Sequence, residues 1–432
     1  MRRISTIALL IAATFGSAAV AAPAYDPQTA ASPPSLTPLP ASVERPALGA
    51  DDWKRSNETV GAMPRGHMDV LRWEARNPAK PDTPAATGPV LTPGEAVRIA
   101  MQARPELVIT TETSEIDRID ADSAVLALAH EVHRDWIEAV AARTALTHAE
   151  QAFAAVDTAT ELATRMTRNG TWSQERLLRA RLDRAAALET LVAARSNALA
   201  ARARLVRELG LWGEDAERFT LPAELPALPA EPLAFEGLER SALTSHPRLA
   251  ILAREAGWEM AAIPQATLAR WRGAVAAQLP ADTAEPGLAS LPARAPMLDL
   301  RRLVIGHEIP AAARAEARAE RLAATIRANV REAWQHYRSA FEMARAQRNE
   351  VVQLADALQD ETLLRYNGML ASTWDVLDGA VAQTMARANA HDALRRFWLA
   401  HTDLQAVLAG GDYAGPEAGA GGMNAAANAG GH

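Results

Sequence analysis

Apolar residues that recur every seven positions limit the possible folds of this 432-residue chain more than any other feature. A strict seven-residue repeat keeps one apolar seam facing a partner helix, as in a coiled coil. At about 1.5 Å per residue, stretches of roughly 40 residues form rods of about 60 Å. The pattern predicts a mainly α-helical chain built from long antiparallel helices. The repeats run through Val125, Val132, Ala139, Leu146 and Phe153, then Leu178, Ala185, Val192, Leu199 and Val206, and finally Val330, Tyr337, Ala344, Val351 and Leu358.

The composition agrees with helices that pack closely along their length. Apolar residues make up 49% of the chain but aromatic residues only 5%, so most apolar side chains are small. The net charge of -7 gives no attraction to nucleic acid, which excludes nucleic acid as a partner. The absence of cysteine excludes disulfides, thiol catalysis and thiolate metal sites.

The N-terminus has the three parts of a secretion signal. Arg2 and Arg3 precede an apolar stretch at residues 7–15, and small residues follow up to Ala22. We expect residues 1–22 to be a signal peptide and the protein to be exported. The apolar stretch is too short for a membrane-spanning helix.

Proline-rich segments divide the rest of the chain. Residues 23–90 are expected to form an extended arm, residues 219–235 a linker, and residues 411–432 a disordered Gly/Ala tail. Two helical repeats, at residues 91–218 and 236–410, lie between these segments.

Three landmarks occur in the same order in both repeats and indicate a duplication. Each is a short local pattern, and the second and third are both offset by 198 residues. Each repeat is predicted to be one antiparallel helical hairpin. The matched pairs are Pro105 with Pro247, Trp136 with Trp334, and Asn169-Gly170 with Asn367-Gly368.

The predicted hairpin turns carry residues suited to ending one helix and starting the next. Asn367 and Gly368 can take the left-handed conformation that closes a helix. Ser372 can cap the next helix, and Asp375 can complete a capping box. The same residues also suit a hairpin that is simply well capped and has no partner. Gly170 and Ser173 are the corresponding residues of the first turn.

At this point the sequence resembles a known family. Residues 365–377 read Arg-Tyr-Asn-Gly-Met-Leu-Ala-Ser-Thr-Trp-Asp-Val-Leu. They are similar to the Arg-Tyr-x-x-Gly-x-x-Ser-x-x-Asp-Val-Leu turn of TolC-type outer-membrane efflux proteins, with the glycine one place early. Residues 91–96, Leu-Thr-Pro-Gly-Glu-Ala, resemble the opening Leu-Thr-x-x-Glu-Ala of that family. The resemblance covers residues 91–410.

The resemblance implies a homotrimer at the outer membrane with a periplasmic helical tunnel, and a barrel to which each protomer gives four strands. It also implies a periplasmic adaptor and an inner-membrane pump as partners, and export of small toxic compounds. Members associated with heavy-metal or copper resistance have a similar turn. Neither a catalytic residue nor a cofactor is implied. The residues expected at the adaptor-contacting tips are Arg365, Tyr366, Gly368, Ser372, Asp375, Gly170 and Ser173.

The first repeat departs from the family pattern because it is short. Pro105 and Trp136 are 31 positions apart, whereas Pro247 and Trp334 are 87 apart. A membrane strand takes about 9–11 residues, so the first repeat has no room for a strand pair with its flanking helices. The second repeat offers only strand-like residues at 273–279 and 303–309. We expect no conventional twelve-strand barrel from this chain alone.

Two other interpretations follow from that departure. In one, the chain is a degenerate relative that stays in the periplasm as a binding or scaffold protein. In the other, it is a plain coiled-coil structural protein, which explains the seven-residue repeats but not the duplicated turn.

Candidate metal ligands are sparse. His130 and His133 lie on one face of a predicted helix, where a solvated helix face is the alternative. No nucleophile and base are paired and no phosphate loop is present, so we expect no enzyme activity. Further methionines and histidines that suit copper lie in the arm and the tail, at Met63, His67, Met68, Met423 and His432.

Overall fold

The computed structural model describes residues 58, 88–261, 263–278, 297–303, 306, 308–411, 413 and 415. The predicted signal peptide, nearly all of the arm and most of the tail lie outside the described residues. The chain divides into two units, and the larger consists of Pro89–Gly210 with Thr220–His432. The smaller unit, Met1–Gly88 with Leu211–Phe219, contains the 3-10 turn Gly213–Glu217.

The described residues of the larger unit are mostly helical. Pro105–Leu107 forms a 3-10 turn after α1, and the π-helical turn Gln347–Val351 joins α8 to α9. Val90 and Thr220 form a parallel β-bridge. The helices are α1 (Pro93–Gln102), α2 (Glu115–Arg168), α3 (Gln174–Glu208), α4 (Leu238–Ser245), α5 (Pro247–Ala261), α6 (Gln265–Ala276), α7 (Leu300–Leu303), α8 (Ile309–Ala346), α9 (Val352–Asn367) and α10 (Thr373–Leu408).

The predicted fold class, mainly α with two long antiparallel helical hairpins, is confirmed. In hairpin one, α2 packs along α3. In hairpin two, α8 and α9 together pack along α10. The two hairpins meet where α2 packs against α10. The 54 residues of α2 correspond to about 80 Å at 1.5 Å per residue.

Local capping explains where the long helices begin and end. The hydroxyl of Ser114 accepts from the backbone N–H of Asp117 at the start of α2. The hydroxyl of Ser173 does the same for Arg176 at the start of α3. Such caps satisfy backbone N–H groups that have no partner within the helix. The basic Arg168 at the end of α2 lies where the helix dipole favours positive charge.

The main apolar cluster of hairpin two lies between α8, α10 and α4. Phe397 is fully buried and its ring lies 5.4 Å from that of Tyr337 and 5.9 Å from that of Phe341. The hydroxyl of Tyr337 accepts from the backbone N–H of Leu233, so this buried polar group is satisfied. The remaining buried members are Ala242, Ile326, Val330, Ala333, Ala344, Ala393, Ala400, Leu404 and Val407.

The seven-residue apolar seams are buried on one helix and exposed on another. On α2, Val132, Ala139 and Phe153 are buried, as predicted. On α3, the seam predicted to face a partner helix is instead exposed, so that prediction is wrong within one chain. The face of α3 that packs on α2 carries other small and apolar residues. Contact through that face is favoured because it excludes water from α2 along its length. The exposed residues are Leu178, Ala185, Val192 and Leu199, and the buried ones are Leu177, Ala180, Leu191, Ala201 and Leu205.

The strand-like segments of the second repeat are also corrected. Residues 273–276 belong to α6, Leu303 ends α7, and Ile309 begins α8. The flanking sequence of α6 is rich in alanine, leucine and arginine, which favour helix and override a short apolar alternation. Residues 279, 304, 305 and 307 of these segments lie outside the described residues.

Candidate functional site

Both hairpins end in the same type of turn. We call residues 166–176 tip one and residues 365–375 tip two. In tip one the N–H of Thr171 donates to the carbonyl of Met166, and the N–H of Gly170 donates to that of Thr167. These two bonds define a Schellman turn, in which one residue takes a positive φ. That residue is Gly170, with φ of 74°.

Tip two has the same pair of bonds one residue later than the sequence alignment predicts. The N–H of Leu370 donates to Arg365 and the N–H of Met369 donates to Tyr366. Met369, with φ of 56°, holds the left-handed position. The prediction that Gly368 is left-handed is wrong, since its φ is -82°. The turns therefore match at an offset of 199, because backbone hydrogen bonding, rather than the Asn-Gly pair, sets the register.

The predicted capping box at the start of α10 is present. The Asp375 carboxylate accepts from the N–H of Ser372 at 2.6 Å, and the Ser372 hydroxyl accepts from the N–H of Asp375 at 3.2 Å. The bond from the Ser372 backbone, followed by that from its hydroxyl, lowers the pKa of Asp375 below its usual value. Asp375 is thus held as a carboxylate at the surface of tip two.

The other predicted tip residues lie at the surface as well. Arg365, Gly368 and Ser372 are exposed, and Tyr366 is half-buried. The Arg365 guanidinium lies 3.6 Å from Glu361, one turn earlier on α9. Gly170 and Ser173 are exposed in tip one. The arrangement leaves the seven residues accessible to a partner, while Ser173, Ser372 and Asp375 also act as caps.

A pair of tryptophans joins the two tips, and the sequence analysis missed it. The rings of Trp172 and Trp374 are stacked with centroids 4.6 Å apart and planes tilted by 24°. They pack over Ala163, Leu177 and Ala180 at the end of hairpin one. Stacking of this kind stabilises by about 0.5–1.5 kcal/mol beyond the buried area. Each tip sequence carries one tryptophan, which was the available signal.

Tip two also presents apolar residues to solvent. Met369 and Leu370 are 94% and 81% exposed. At the end of the hairpin, the rest of this chain leaves both side chains almost fully exposed to water. They add an apolar element to the surface formed by the charged tip residues.

We expect Met369→Gly to raise the free energy of unfolding by about 0.5–1 kcal/mol, because glycine takes the left-handed conformation without a Cβ clash. Chemical denaturation followed by circular dichroism measures the change. The reciprocal Gly170→Met in tip one should lower the free energy of unfolding by about 1–2 kcal/mol, since no atom crowds the position and only the backbone conformation resists the side chain. Equal stability of both variants and the parent would contradict this account.

The predicted metal candidates have other roles. His130 Nε2 lies 2.8 Å from the carboxylate of Asp403, to which Arg134 also donates at 2.6 Å. Burial raises the pKa of Asp403, but these two partners outweigh it and lower that pKa below its usual value. His133 lines a cavity of about 500 Å³ together with His401. Burial, with a smaller contribution from His130, lowers the pKa of His133. His130 therefore contacts Asp403 beside the Arg134–Asp403 ion pair, where α2 packs against α10.

Within the described part of the chain, no three His, Cys, Asp or Glu side chains are grouped so as to hold a metal ion. The copper candidates of the arm and tail, Met63, His67, Met68, Met423 and His432, lie outside the described residues.

None of the described helices combines the length and the apolar character that crossing a membrane requires.

No protein-family model and no curated protein matches this chain. Several solved membrane proteins are similar to it. One is a membrane protein from Pseudomonas aeruginosa, with a TM-score of 0.49 and 16% identity over 74% of this chain and 72% of its own. The outer membrane protein VceC from Vibrio cholerae has a TM-score of 0.45 and 15% identity, over 74% and 76% of the two chains. The CmeC outer membrane channel from Campylobacter jejuni has a TM-score of 0.48 and 12% identity, over 74% and 68%.

Proposed function

We propose that this chain is an exported TolC-type protein, the outer-membrane channel component of a tripartite efflux system. The observation that carries the proposal is the pair of long hairpins that pack through α2 and α10 and end in matching exposed tips. A plain coiled coil has no need for two tips with the same turn, joined by stacked tryptophans. The motif residues of the second turn, from Arg365 to Asp375, are those of the family that the sequence resembles.

A homotrimer is part of the proposal, and two exposed apolar stripes support it. The α3 stripe consists of Leu178, Leu182, Ala185, Val192 and Leu199. At about 100° per residue, it lies on the side of α3 opposite the residues that pack on α2. The α9 stripe consists of Val351, the last residue of the π-helical turn, with Leu354 and Leu358 of α9, and all three are exposed.

The two stripes differ, so a contact between the α3 stripe of one copy and the α9 stripe of the next is heterologous. Contacts of that kind form a closed ring when the rotation between copies permits it. Seven-residue spacing suits packing against another long helix. We infer that the α3 seam predicted from the sequence packs against a helix of a neighbouring copy of the chain.

The tips are the proposed contacts with a periplasmic adaptor, and through it the chain works with an inner-membrane pump. The charged Arg365 and Asp375 flank the exposed Met369 and Leu370, which gives a mixed surface of the kind found in protein interfaces. The proposed cargo is small toxic compounds. Heavy metals such as copper are the narrower proposal, which rests on the turn motif alone.

A second candidate function is that of a periplasmic scaffold or binding protein without a membrane part. The short first repeat favours it, because Pro105–Leu107 forms a single 3-10 turn where the second repeat has the 15-residue α5. Cell fractionation followed by carbonate extraction separates the candidates. Release into the soluble fraction supports the scaffold, whereas retention supports the outer-membrane component.

Charge reversal at tip two tests the adaptor contact. We expect Arg365→Glu combined with Asp375→Arg to reduce adaptor cross-linking or resistance at least about tenfold, equivalent to about 1.4 kcal/mol of binding. Helix content should stay nearly unchanged, because loss of a cap costs about 1 kcal/mol. Site-specific cross-linking in whole cells measures the contact.

The matched control lies at the start of α2. Ser114 and Asp117 share two of the three cap contacts of Ser372 and Asp375, those made by the serine hydroxyl, and Arg118 is exposed beside them. Asp117→Arg with Arg118→Glu therefore weakens a similar cap and reverses the same charges far along α2 from tip one. Cross-linking should match the parent protein. An equal loss in both double variants would mean that these residues act only as caps.

A further inference from the structure

Two histidines from different hairpins face each other where α2 packs against α10. His148 lies on α2 and His391 on α10. Their ring centroids are 4.8 Å apart, and the ring planes are tilted by 38°. The contact is distinct from the tips and from the contact of His130 with Asp403. It therefore needs its own explanation.

The imidazole of His148 is unusual because both of its nitrogen atoms are buried and, among the described residues, neither makes a hydrogen bond. The amide of Gln151 approaches closely enough to favour the charged ring, but without the geometry of a hydrogen bond. Leaving a buried polar atom unsatisfied is costly, so such atoms in native proteins nearly always have a partner. A ligand that binds imidazole nitrogen would supply one.

The spacing of the two rings suits one shared metal ion. A metal–nitrogen bond of about 2.0–2.1 Å places the centre of an imidazole ring about 3.2 Å from the metal. Two imidazoles at 90–110° on one ion then have centroids about 4.5–5.2 Å apart. The observed 4.8 Å lies within that range.

The surroundings leave room for further ligands. A cavity of about 350 Å³ adjoins His391 and is lined by Glu224, Arg348 and Arg387. Water can reach a bound ion through it and fill the remaining coordination positions. The Arg387 guanidinium is held 3.0 Å from Asp356, which partly neutralises its charge. The π-helical turn before α9 contributes Arg348 to this wall, and such turns are frequent at functional sites.

The protonation state of His148 is consistent with metal binding. Burial, then the facing His391, lowers its pKa, with Arg387 acting in the same direction and Gln151 and Glu224 opposing. The ring is therefore neutral at pH 7, and a metal ion binds neutral imidazole.

We propose that His148 and His391 together bind a divalent first-row transition-metal ion, of the class of Zn²⁺ or Ni²⁺, between the two hairpins. Imidazole is a preferred ligand of these ions. Such an ion links hairpin one to hairpin two directly, because each hairpin provides one ligand. The site is independent of the adaptor and of the cargo.

Purified full-length protein, freed of metal with a chelator at pH 7.5, tests the site with Zn²⁺ and Ni²⁺ as probes. We expect saturable binding in calorimetry and a rise in Tm with metal concentration. His148→Gln and His391→Gln should each weaken this binding at least about tenfold. His133→Gln, which changes a histidine of the same helix outside the pair, should bind as the parent does.

The affinity should also fall below about pH 6, because protons compete for the same nitrogens. Circular dichroism establishes that each variant is folded. Both histidines are half-buried. If the His148 variant fails to fold, the His391 variant decides. Wild-type protein without saturable binding, or both glutamine variants with parental affinity, would overturn the proposal.

Discussion

Phe397→Ala should lower the free energy of unfolding by about 3–5 kcal/mol, the largest stability effect expected for a single substitution here. The ring is fully buried and contacts Tyr337, Phe341 and Trp398 at centroid distances of 5.4, 5.9 and 5.2 Å. Alanine buries less apolar surface than phenylalanine. It also leaves a cavity that the rigid neighbouring rings cannot fill. Chemical denaturation followed by helical circular dichroism measures the loss.

Trp258 provides the matched aromatic control. It lies on α5, is 72% exposed, and has the Arg254 guanidinium 5.7 Å from its ring. Trp258→Ala should change the free energy of unfolding by less than about 1 kcal/mol. A similar cost at both positions would mean that the cluster around Phe397 is not the core of hairpin two.

Assembly should respond most strongly to charge on the α3 stripe. Leu182 and Leu199 are 71% and 68% exposed, so the folded chain has no need of them. We expect Leu182→Glu combined with Leu199→Glu to convert the proposed trimer into monomers while helix content stays unchanged. Burying two carboxylates in an apolar seam costs several kcal/mol per chain unless they are paired. Sedimentation velocity and native mass spectrometry measure the oligomeric state.

The control places the same charges on the flank of the same helix. Thr190 and Asn197 are exposed and lie about 100–120° round α3 from Leu178. Thr190→Glu with Asn197→Glu should leave the trimer intact. A parent protein that is monomeric at micromolar concentration, or both double variants dissociating equally, would contradict the proposed seam.

Much of the helical framework was predictable because its signals are local. Ser173, Ser372 and Asp375 cap helices through bonds to residues three positions away, so a short sequence window contains the whole interaction. The seam on α2 was also predictable, since its periodicity alone selects the face with Val132 and Phe153.

Local sequence signals gave wrong predictions where two backbone conformations, or two faces of one helix, were both possible. The Asn-Gly pair of tip two favoured a left-handed glycine, yet the helix continues one residue further and places Met369 there. On α3, two opposite faces carry apolar residues, and the spacing alone cannot say which one meets α2. The face with Leu191 and Leu205 packs within the chain, leaving the other free.

The sequence by itself determined the capped helix starts, the two hairpins and the exposed motif of tip two, because caps and periodicity are properties of neighbouring residues. Only the tertiary structure brought Trp172 to Trp374 and His148 to His391. Each pair joins residues more than 200 positions apart, and no local preference links them. Their contact depends on how α2 packs against α10, which is set by the summed burial along both helices.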